Sequence, residues 1–210
     1  MAVAVVVFLV PGAQARNYPK IFNSAELKAL SWKLMRGPMG EFQGMLGTWQ
    51  DGKACETPIC TSRSWPSLVA KVKALAGNPP AEIALVNALV NDKILHPYKE
   101  DPANWQKDEY WATAFQFLKK SGDCEDYAIT KYMLLKAAGM PIENMRIVAV
   151  ALRNRNGLGH TILVVYVGDQ AWVLDNRYEK LVETKNATLE YTALYSMNES
   201  AWWRHSPPPR

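Results

Sequence analysis

The run Gly122-Asp123-Cys124-Glu125-Asp126-Tyr127-Ala128 places one cysteine among three acidic residues. Gly122 and Asp123 interrupt the preceding segment, and apolar residues then recur at helical spacing until Gly139-Met140-Pro141. This pattern predicts that Cys124 lies in or just before the first turn of a helix. At that position the unpaired backbone N–H groups and the positive end of the helix dipole stabilise a thiolate.

The acids around Cys124 leave two interpretations open. Neighbouring carboxylates oppose a thiolate unless a cation neutralises them. The cysteine is therefore either an activated nucleophile beside a metal site, or a plain cysteine whose neighbouring acids favour the helix N-terminus.

Composition is that of an ordinary globular protein. The chain has 210 residues, of which 49% are apolar and 21% are charged, and this is enough for one domain with a sizeable core. The net charge of +4 comes from scattered residues without a Lys/Arg run. The charge pattern therefore gives no indication of nucleic-acid binding.

The first residues have features of a secretory signal. Residues 2–10 are apolar, Pro11-Gly12 interrupts them, and Ala13-Gln14-Ala15 has the small-x-small form of a signal-peptidase site. No basic residue precedes the apolar run, which is shorter than the ~20 residues of a membrane span. We expect a signal peptide over residues 1–15, with a buried β-strand as the alternative, a single domain over 16–203 and a disordered tail over 204–210.

The remaining cysteines, Cys55 and Cys60, are separated by only four residues. In an oxidising compartment they could pair, which would leave Cys124 as the odd thiol and hence the one to suspect of reactivity. Two unpaired surface thiols are the alternative.

The distribution of patterns along the chain predicts an α+β fold. Helical patterns come first, near residues 24–35, 64–77, 79–90, 110–119 and 124–139, and a loop is expected over residues 95–109. Strand patterns follow near 145–152, 160–167, 171–174 and between 181 and 195. This order predicts N-terminal helices packed on one face of an antiparallel sheet.

A base and an orienting acid for Cys124 can be proposed from the predicted hairpin. A two-residue turn at Gly168-Asp169 would pair Val167 with Gln170. His160 and Asp175 would then share a face as diagonal neighbours, within reach of a hydrogen bond. In this arrangement Asp175 fixes the imidazole tautomer and the other ring nitrogen is left for Cys124.

These residues resemble those of a known family. The stretches Tyr110-Trp111-Ala112-Thr113, Gly122 to Ala128, Gly159-His160-Thr161 and Leu174-Asp175-Asn176 are similar to the bacterial transglutaminase-like cysteine proteinases, which include periplasmic proteases of the LapG type. The resemblance implies a papain-like or transglutaminase-like fold. It also implies Cys124 as nucleophile, His160 as general base and Asp175 as orienter.

The same resemblance implies a cofactor, a location and partners. Calcium would bind Asp123 and Glu125, with Asp126 as a further candidate ligand, and would offset the acids around Cys124. The protein would be a periplasmic, calcium-dependent endopeptidase. It would cut the N-terminal region of a large LapA-like surface adhesin and so promote biofilm release. A LapD-like inner-membrane receptor for cyclic-di-GMP would inhibit it.

Two other classes of function stay open at this point. One is a different thiol hydrolase or acyl transferase, such as a cell-wall peptidase or a transglutaminase-like enzyme. The other is a non-catalytic module that binds calcium or a partner.

Overall fold

The computed structural model describes residues 64–183, 187 and 190–205. The predicted signal peptide, the predicted helix over 24–35, the Cys55–Cys60 pair and the last five residues of the predicted tail lie outside these ranges. None of the described helices is long and apolar enough to cross a membrane.

Five α-helices precede the strands in the described chain. They are α1 (Ser64–Lys73), α2 (Pro79–Val90), α3 (Asp101–Trp105), α4 (Ala114–Lys120) and α5 (Cys124–Ala138). Asn78 caps α2, whose first turn carries proline, a residue that is tolerated there because no backbone N–H is needed. Gly139 ends α5 with a φ of 113°, a conformation that glycine adopts without steric cost.

Six antiparallel strands form one sheet in the order β4-β3-β2-β1-β5-β6. The strands are β1 (Met145–Leu152), β2 (Leu158–Val167), β3 (Gln170–Leu174), β4 (Val182–Glu183), β5 (Tyr191–Met197) and β6 (Trp202–Arg204). The predicted α+β arrangement of helices and an antiparallel sheet is confirmed.

Helix α5 lies at the centre of the main core. Every residue from 125 to 135 is buried, and α1, α2, α4, β1 and β2 all pack against this helix. Its interior includes Tyr132, Met133 and Leu134, each fully buried. Burying one such side chain contributes about 1.5–3 kcal/mol, so the packing holds the helix that begins at Cys124 in a fixed position.

The two faces of the sheet belong to different clusters. Ile147, Leu163 and Val165 join the helices in the main core, whereas Val148, Ile162 and Val164 join a second buried cluster. The alternation follows from the two-residue period of a strand. Central strands β1 and β2 are therefore buried on both sides.

Three predicted boundaries were wrong. The loop over 95–109 contains the short helix α3, and α4 begins at Ala114 because Thr113 caps it through reciprocal bonds with Gln116. Residues 110–113 lie outside the helix, since the backbone N–H groups of Tyr110 and Ala112 bond to the carboxylates of Asp101 and Asp126. The predicted tail begins too early, because Arg204 belongs to β6 and His205 donates its backbone N–H to Leu194.

Candidate active site

The hairpin of β2 and β3 brings His160 and Asp175 together. Val167 pairs with Gln170 and Leu163 with Leu174, as the two-residue turn predicts. His160 Nε2 lies 2.9 Å from Asp175 Oδ1, and both side chains are buried. The carboxylate therefore holds Nε2, and the ring nitrogen that is left for another partner is Nδ1. The predicted contact is confirmed; its role in catalysis stays a prediction.

Asp175 is a fully bonded carboxylate. Its Oδ1 accepts a 2.8 Å bond from the backbone N–H of Arg177, and its Oδ2 accepts from Arg177 Nε at 3.0 Å and Tyr191 at 2.6 Å. Burial alone would raise the pKa of Asp175, but the bonds from His160, Tyr191 and Arg177 outweigh it and hold the pKa below the usual range. Asp175 is therefore ionised at neutral pH and can orient an imidazole or stabilise an imidazolium.

Cys124 is the first residue of α5, as predicted, and is partly buried. Its thiol donates to Glu125 Oε2 at 3.2 Å, and the backbone of Thr161 bonds to the sulfur. The nucleophile candidate thus lies beside the residue that follows His160. In the described chain Cys124 makes no hydrogen bond to His160, and catalytic pairs are often loose before substrate binds.

Without a bound cation, the surroundings of Cys124 disfavour its thiolate form. Burial raises the pKa of the thiol well above its usual range, and the carboxylates of Glu125 and Asp123 raise it further. The hydrogen bond from the backbone of Thr161 lowers this pKa, but it does not outweigh the other influences. The thiol therefore needs a positive charge nearby if it is to act as a nucleophile near neutral pH.

An acidic cluster borders Cys124. It comprises two groups that share Asp101, namely Asp101, Asp123 and Asp126, and Asp101, Glu109 and Glu125. Within each group the three carboxylate oxygens lie within 4.8 Å of one another. Ca²⁺ binds oxygen at about 2.3–2.6 Å, so oxygens at these separations can share one ion.

Unpaired oxygens in this cluster fit a hard cation. Asp101 Oδ1, Asp123 Oδ1 and Asp126 Oδ2 are buried and have no hydrogen-bond partner among the described residues. Burial raises the pKa of all three carboxyls, with repulsion from Glu125 acting on Asp123 and repulsion from Asp123 acting on Asp126. Buried carboxylates without a counter-charge are costly, and a divalent cation held by oxygen ligands would remove that cost.

Sequence reasoning found only part of this cluster. The predicted ligands Asp123, Glu125 and Asp126 all belong to it, but Asp101 and Glu109 were missed. Both lie in the segment that was predicted to be a loop, at least 14 residues before Asp123. Nothing in their sequence neighbourhood distinguishes them from the solvated acids at Glu100 and Asp108.

Gly122 explains how Asp126 is placed. A Cβ atom at this position would lie 1.9 Å from Asp126 Oδ2 and 2.7 Å from Asp126 Cβ. Only glycine allows the aspartate to fold back against the chain, where its Oδ1 accepts a 2.7 Å bond from the backbone N–H of Ala112.

A further residue missed by the sequence reasoning is Tyr98, in the loop between α2 and α3. Burial raises the pKa of its phenol, and the charges of Cys124, Asp123 and Glu125 raise it further, so the ring lies close to the nucleophile candidate. The same loop exposes Ile94 and Leu95.

Comparison with known proteins identifies the family. The family model for the bacterial transglutaminase-like cysteine proteinases, BTLCP, matches residues 60–207, which is most of the chain. The chain belongs to this family. The resemblance noted in the sequence is thus confirmed, and the protein is a member of a cysteine proteinase family.

Solved structures agree with that assignment. Calcium-bound LapG from Legionella pneumophila is 25% identical, with a TM-score of 0.60 over 76% of this chain and 87% of its own. The EGTA-treated form of the same protein is 24% identical, with a TM-score of 0.60 over 79% and 88% of the two chains. Among curated proteins, none matches this BTLCP chain.

Proposed function

We propose that this BTLCP protein is a calcium-dependent cysteine endopeptidase, with Cys124 as nucleophile, His160 as general base and Asp175 as orienter. The observation that carries the proposal is the buried His160–Asp175 hydrogen bond, next to a cysteine at the start of a buried helix. Asp175 occupies Nε2, so Nδ1 is the nitrogen that would take the proton of the thiol.

The reaction would proceed by acyl transfer. The Cys124 sulfur attacks the peptide carbonyl while its proton passes to His160 Nδ1, and His160 then gives that proton to the leaving amine as the C–N bond breaks. Water, deprotonated by His160, hydrolyses the thioester and regenerates the thiol. The backbone N–H of Cys124, at the helix start, is the proposed donor to the oxyanion.

Calcium would be held by Asp123, Glu125 and Asp126 together with Asp101 and Glu109. When bound, it would supply positive charge that offsets the carboxylates flanking the thiol. Ca²⁺ takes about 6–8 oxygen ligands, so backbone carbonyls or water would complete the set. The LapG structure in its calcium-bound form supports this cofactor by analogy.

The substrate, partner and location follow from the family resemblance. The substrate would be a LapA-like surface adhesin, cut in its N-terminal region to promote biofilm release. A LapD-like inner-membrane receptor for cyclic-di-GMP would sequester the enzyme. Contact with this adhesin and with this receptor requires a periplasmic protein, in agreement with the predicted signal peptide over residues 1–15.

The first test is cleavage of an adhesin. The chain from Arg16 is incubated with the N-terminal segment of a large adhesin from the same genome, in calcium, in EGTA and as Cys124→Ser. We expect a single cut in calcium alone. Full activity in excess EGTA would contradict the calcium requirement. A folded protein that reacts with iodoacetamide but cuts nothing would instead indicate a cell-wall or acyl-transfer substrate.

Ligand variants test the calcium site without relying on activity. Asp123→Ala and Asp101→Ala are compared by calorimetric titration with calcium, and Asp169→Ala, an exposed acid in the hairpin turn, serves as the control. We expect the first two variants to lose calcium binding while keeping a native circular dichroism spectrum. Unchanged binding in both would remove these residues from the ligand set.

A further inference from the structure

Two buried asparagines at the end of α2 face the segment that carries Asp175. Asn87 lies in the last turn of the helix and Asn91 is its C-terminal cap, and their exposed fractions are 0% and 5%. A buried amide group is costly unless it is hydrogen-bonded. The partners of these two side chains therefore show what the end of α2 holds in place.

The Asn91 amide group spans the turn that follows β3. Its Nδ2 donates 2.8 Å hydrogen bonds to the backbone oxygens of both Asp175 and Tyr178. The backbone closes the same turn with a bond of 3.4 Å from the N–H of Tyr178 to the oxygen of Asp175, which is long for this kind of bond. Asn91 therefore holds both ends of a turn that the backbone itself closes weakly.

Neighbouring side chains support the rest of this segment. Asn87 Nδ2 donates a 2.9 Å bond to the backbone oxygen of Glu179, and Lys93 Nζ donates a 2.6 Å bond to that of Asn176. Residues 175–181 lie between β3 and β4, so these carbonyl groups lie outside the strands of the sheet. Side chains from α2 and from the loop after it thus replace the partners that a strand would supply.

The turn determines where the Asp175 carboxylate points. Its Oδ1 accepts a 2.8 Å bond from the backbone N–H of Arg177, inside the turn, and the same oxygen lies 2.9 Å from His160 Nε2. If the turn opens, the Arg177 N–H moves away from Oδ1, and the carboxylate loses a bond that directs this oxygen toward the imidazole. A displacement of about 1 Å at a catalytic group can lower the rate by about 10²-fold.

We propose that Asn91 is a positioning residue that holds the turn after β3 and thereby keeps the Asp175 carboxylate directed at His160. The inference rests on the proposed function, because it assigns Asp175 the role of orienter. Asn91 acts through the backbone of Asp175. This role needs the N–H donors of the amide group, so a side chain without such donors cannot replace it.

The first test is the proton NMR signal of the His160 ring in Asn91→Ala. A ring N–H that donates to a buried carboxylate exchanges slowly with water and resonates far downfield. The chain has three histidines, and the His160 signal is the one that disappears in His160→Gln. We expect this signal to move upfield and to broaden in Asn91→Ala, because the carboxylate no longer has a fixed position.

Asn198→Ala, in the turn between β5 and β6, is the matched control. Asn198 is also buried, and its side chain also bonds to backbone groups, namely those of Ile142, Ser200 and Ala201. Its loss should destabilise the fold but leave the His160 signal unchanged. An unchanged signal in folded Asn91→Ala, or the absence of a downfield His160 signal in the wild type, would overturn the inference. Equal changes in the two variants would also overturn it, since general loosening of the fold gives that result.

Steady-state kinetics on the adhesin segment give a second readout. We expect Asn91→Ala to lower kcat at least about tenfold with little change in KM, and Asn198→Ala to keep the wild-type kcat. A smaller loss of kcat in Asn91→Ala would overturn the inference. If Asn91→Ala does not fold, Asn91→Asp replaces it in both measurements, since aspartate keeps the shape of the side chain but lacks the amide donors. The NMR measurement needs no substrate, so a failure to cleave any adhesin contradicts the proposed function alone.

Discussion

At the scale of single residues, Cys124 is under opposing influences. The first turn of α5 and the backbone of Thr161 favour a thiolate, whereas burial and the carboxylates of Glu125 and Asp123 oppose it. The neutral thiol even donates a hydrogen bond to Glu125. A cation that binds the Glu125 carboxylate would therefore free the Cys124 sulfur from this hydrogen bond. It would also reduce the negative charge around the sulfur.

Replacing Asp175 by asparagine tests the orienting role. The amide would leave His160 in place but would favour the wrong imidazole tautomer, so we expect kcat to fall by about 10⁴-fold with little change in KM. The measurement is steady-state cleavage of the adhesin segment by Asp175→Asn, with Asp169→Asn in the hairpin turn as the control. A loss of less than tenfold would mean that the carboxylate does not orient the base.

Gly122→Ala tests the placement of Asp126. The added methyl group cannot fit 1.9 Å from Asp126 Oδ2, so the aspartate must leave its place in the acidic cluster. We expect calcium affinity to fall at least about tenfold, which is about 1.4 kcal/mol of binding free energy. Calorimetric titration measures this. Gly159→Ala is the control, because a Cβ atom there meets nothing within 4 Å.

At the scale of elements, the N-terminus of α5 gathers carboxyl groups whose pKa values burial raises. Such groups hold their protons in the folded chain and lose them in the unfolded chain near pH 4. Without calcium, the protonated carboxyl groups therefore stabilise the folded chain, and this contribution to the free energy of unfolding is fully present below pH 4. It is lost as the pH rises through the higher folded-state values.

This loss of stability with rising pH predicts how strongly calcium stabilises the protein at different pH values. Calcium competes with protons for the same oxygens, so the rise in Tm on adding calcium should be larger at pH 8 than at pH 5. At a calcium concentration of about 100 Kd the gain is about 2.7 kcal/mol. For a domain of this size that is about 5–10 °C. Scanning calorimetry at both pH values checks this, and an equal gain at both would contradict the coupling.

The sequence predicted those elements that depend on local patterns. The start of α5 at Cys124, its end at Gly139 and the pairing of Val167 with Gln170 all follow from spacing and turn residues. The acids of the cluster come from three separate segments of the chain, and Asp101 gives no local signal. The start of α4 was missed because the carboxylates of Asp101 and Asp126 hold residues 110–113 outside the helix, a tertiary effect.

At the scale of the whole molecule, α5 connects the parts of the site. Its first turn carries the nucleophile, Glu125 and Asp126, its middle is buried in the main core, and its last turn is tied to the segment after β5 by the Lys136–Glu199 pair at 2.7 Å. Both the main core and the sheet pack against it. A change in the packing of this helix would therefore affect the thiol and the acidic cluster together.

The burial of β1 and β2 on both faces has a consequence for the unfolded chain. Residues 147–152 and 162–167 contain no charge, proline or glycine and are rich in β-branched side chains. Once exposed, such segments pair with copies of themselves in neighbouring molecules. We expect heating to produce light scattering as the circular dichroism signal is lost, with no recovery on cooling, and a reversible transition would contradict this. The time for which the protein stays active is then set by its rate of unfolding. A cation that slows the unfolding of α5 lengthens that time.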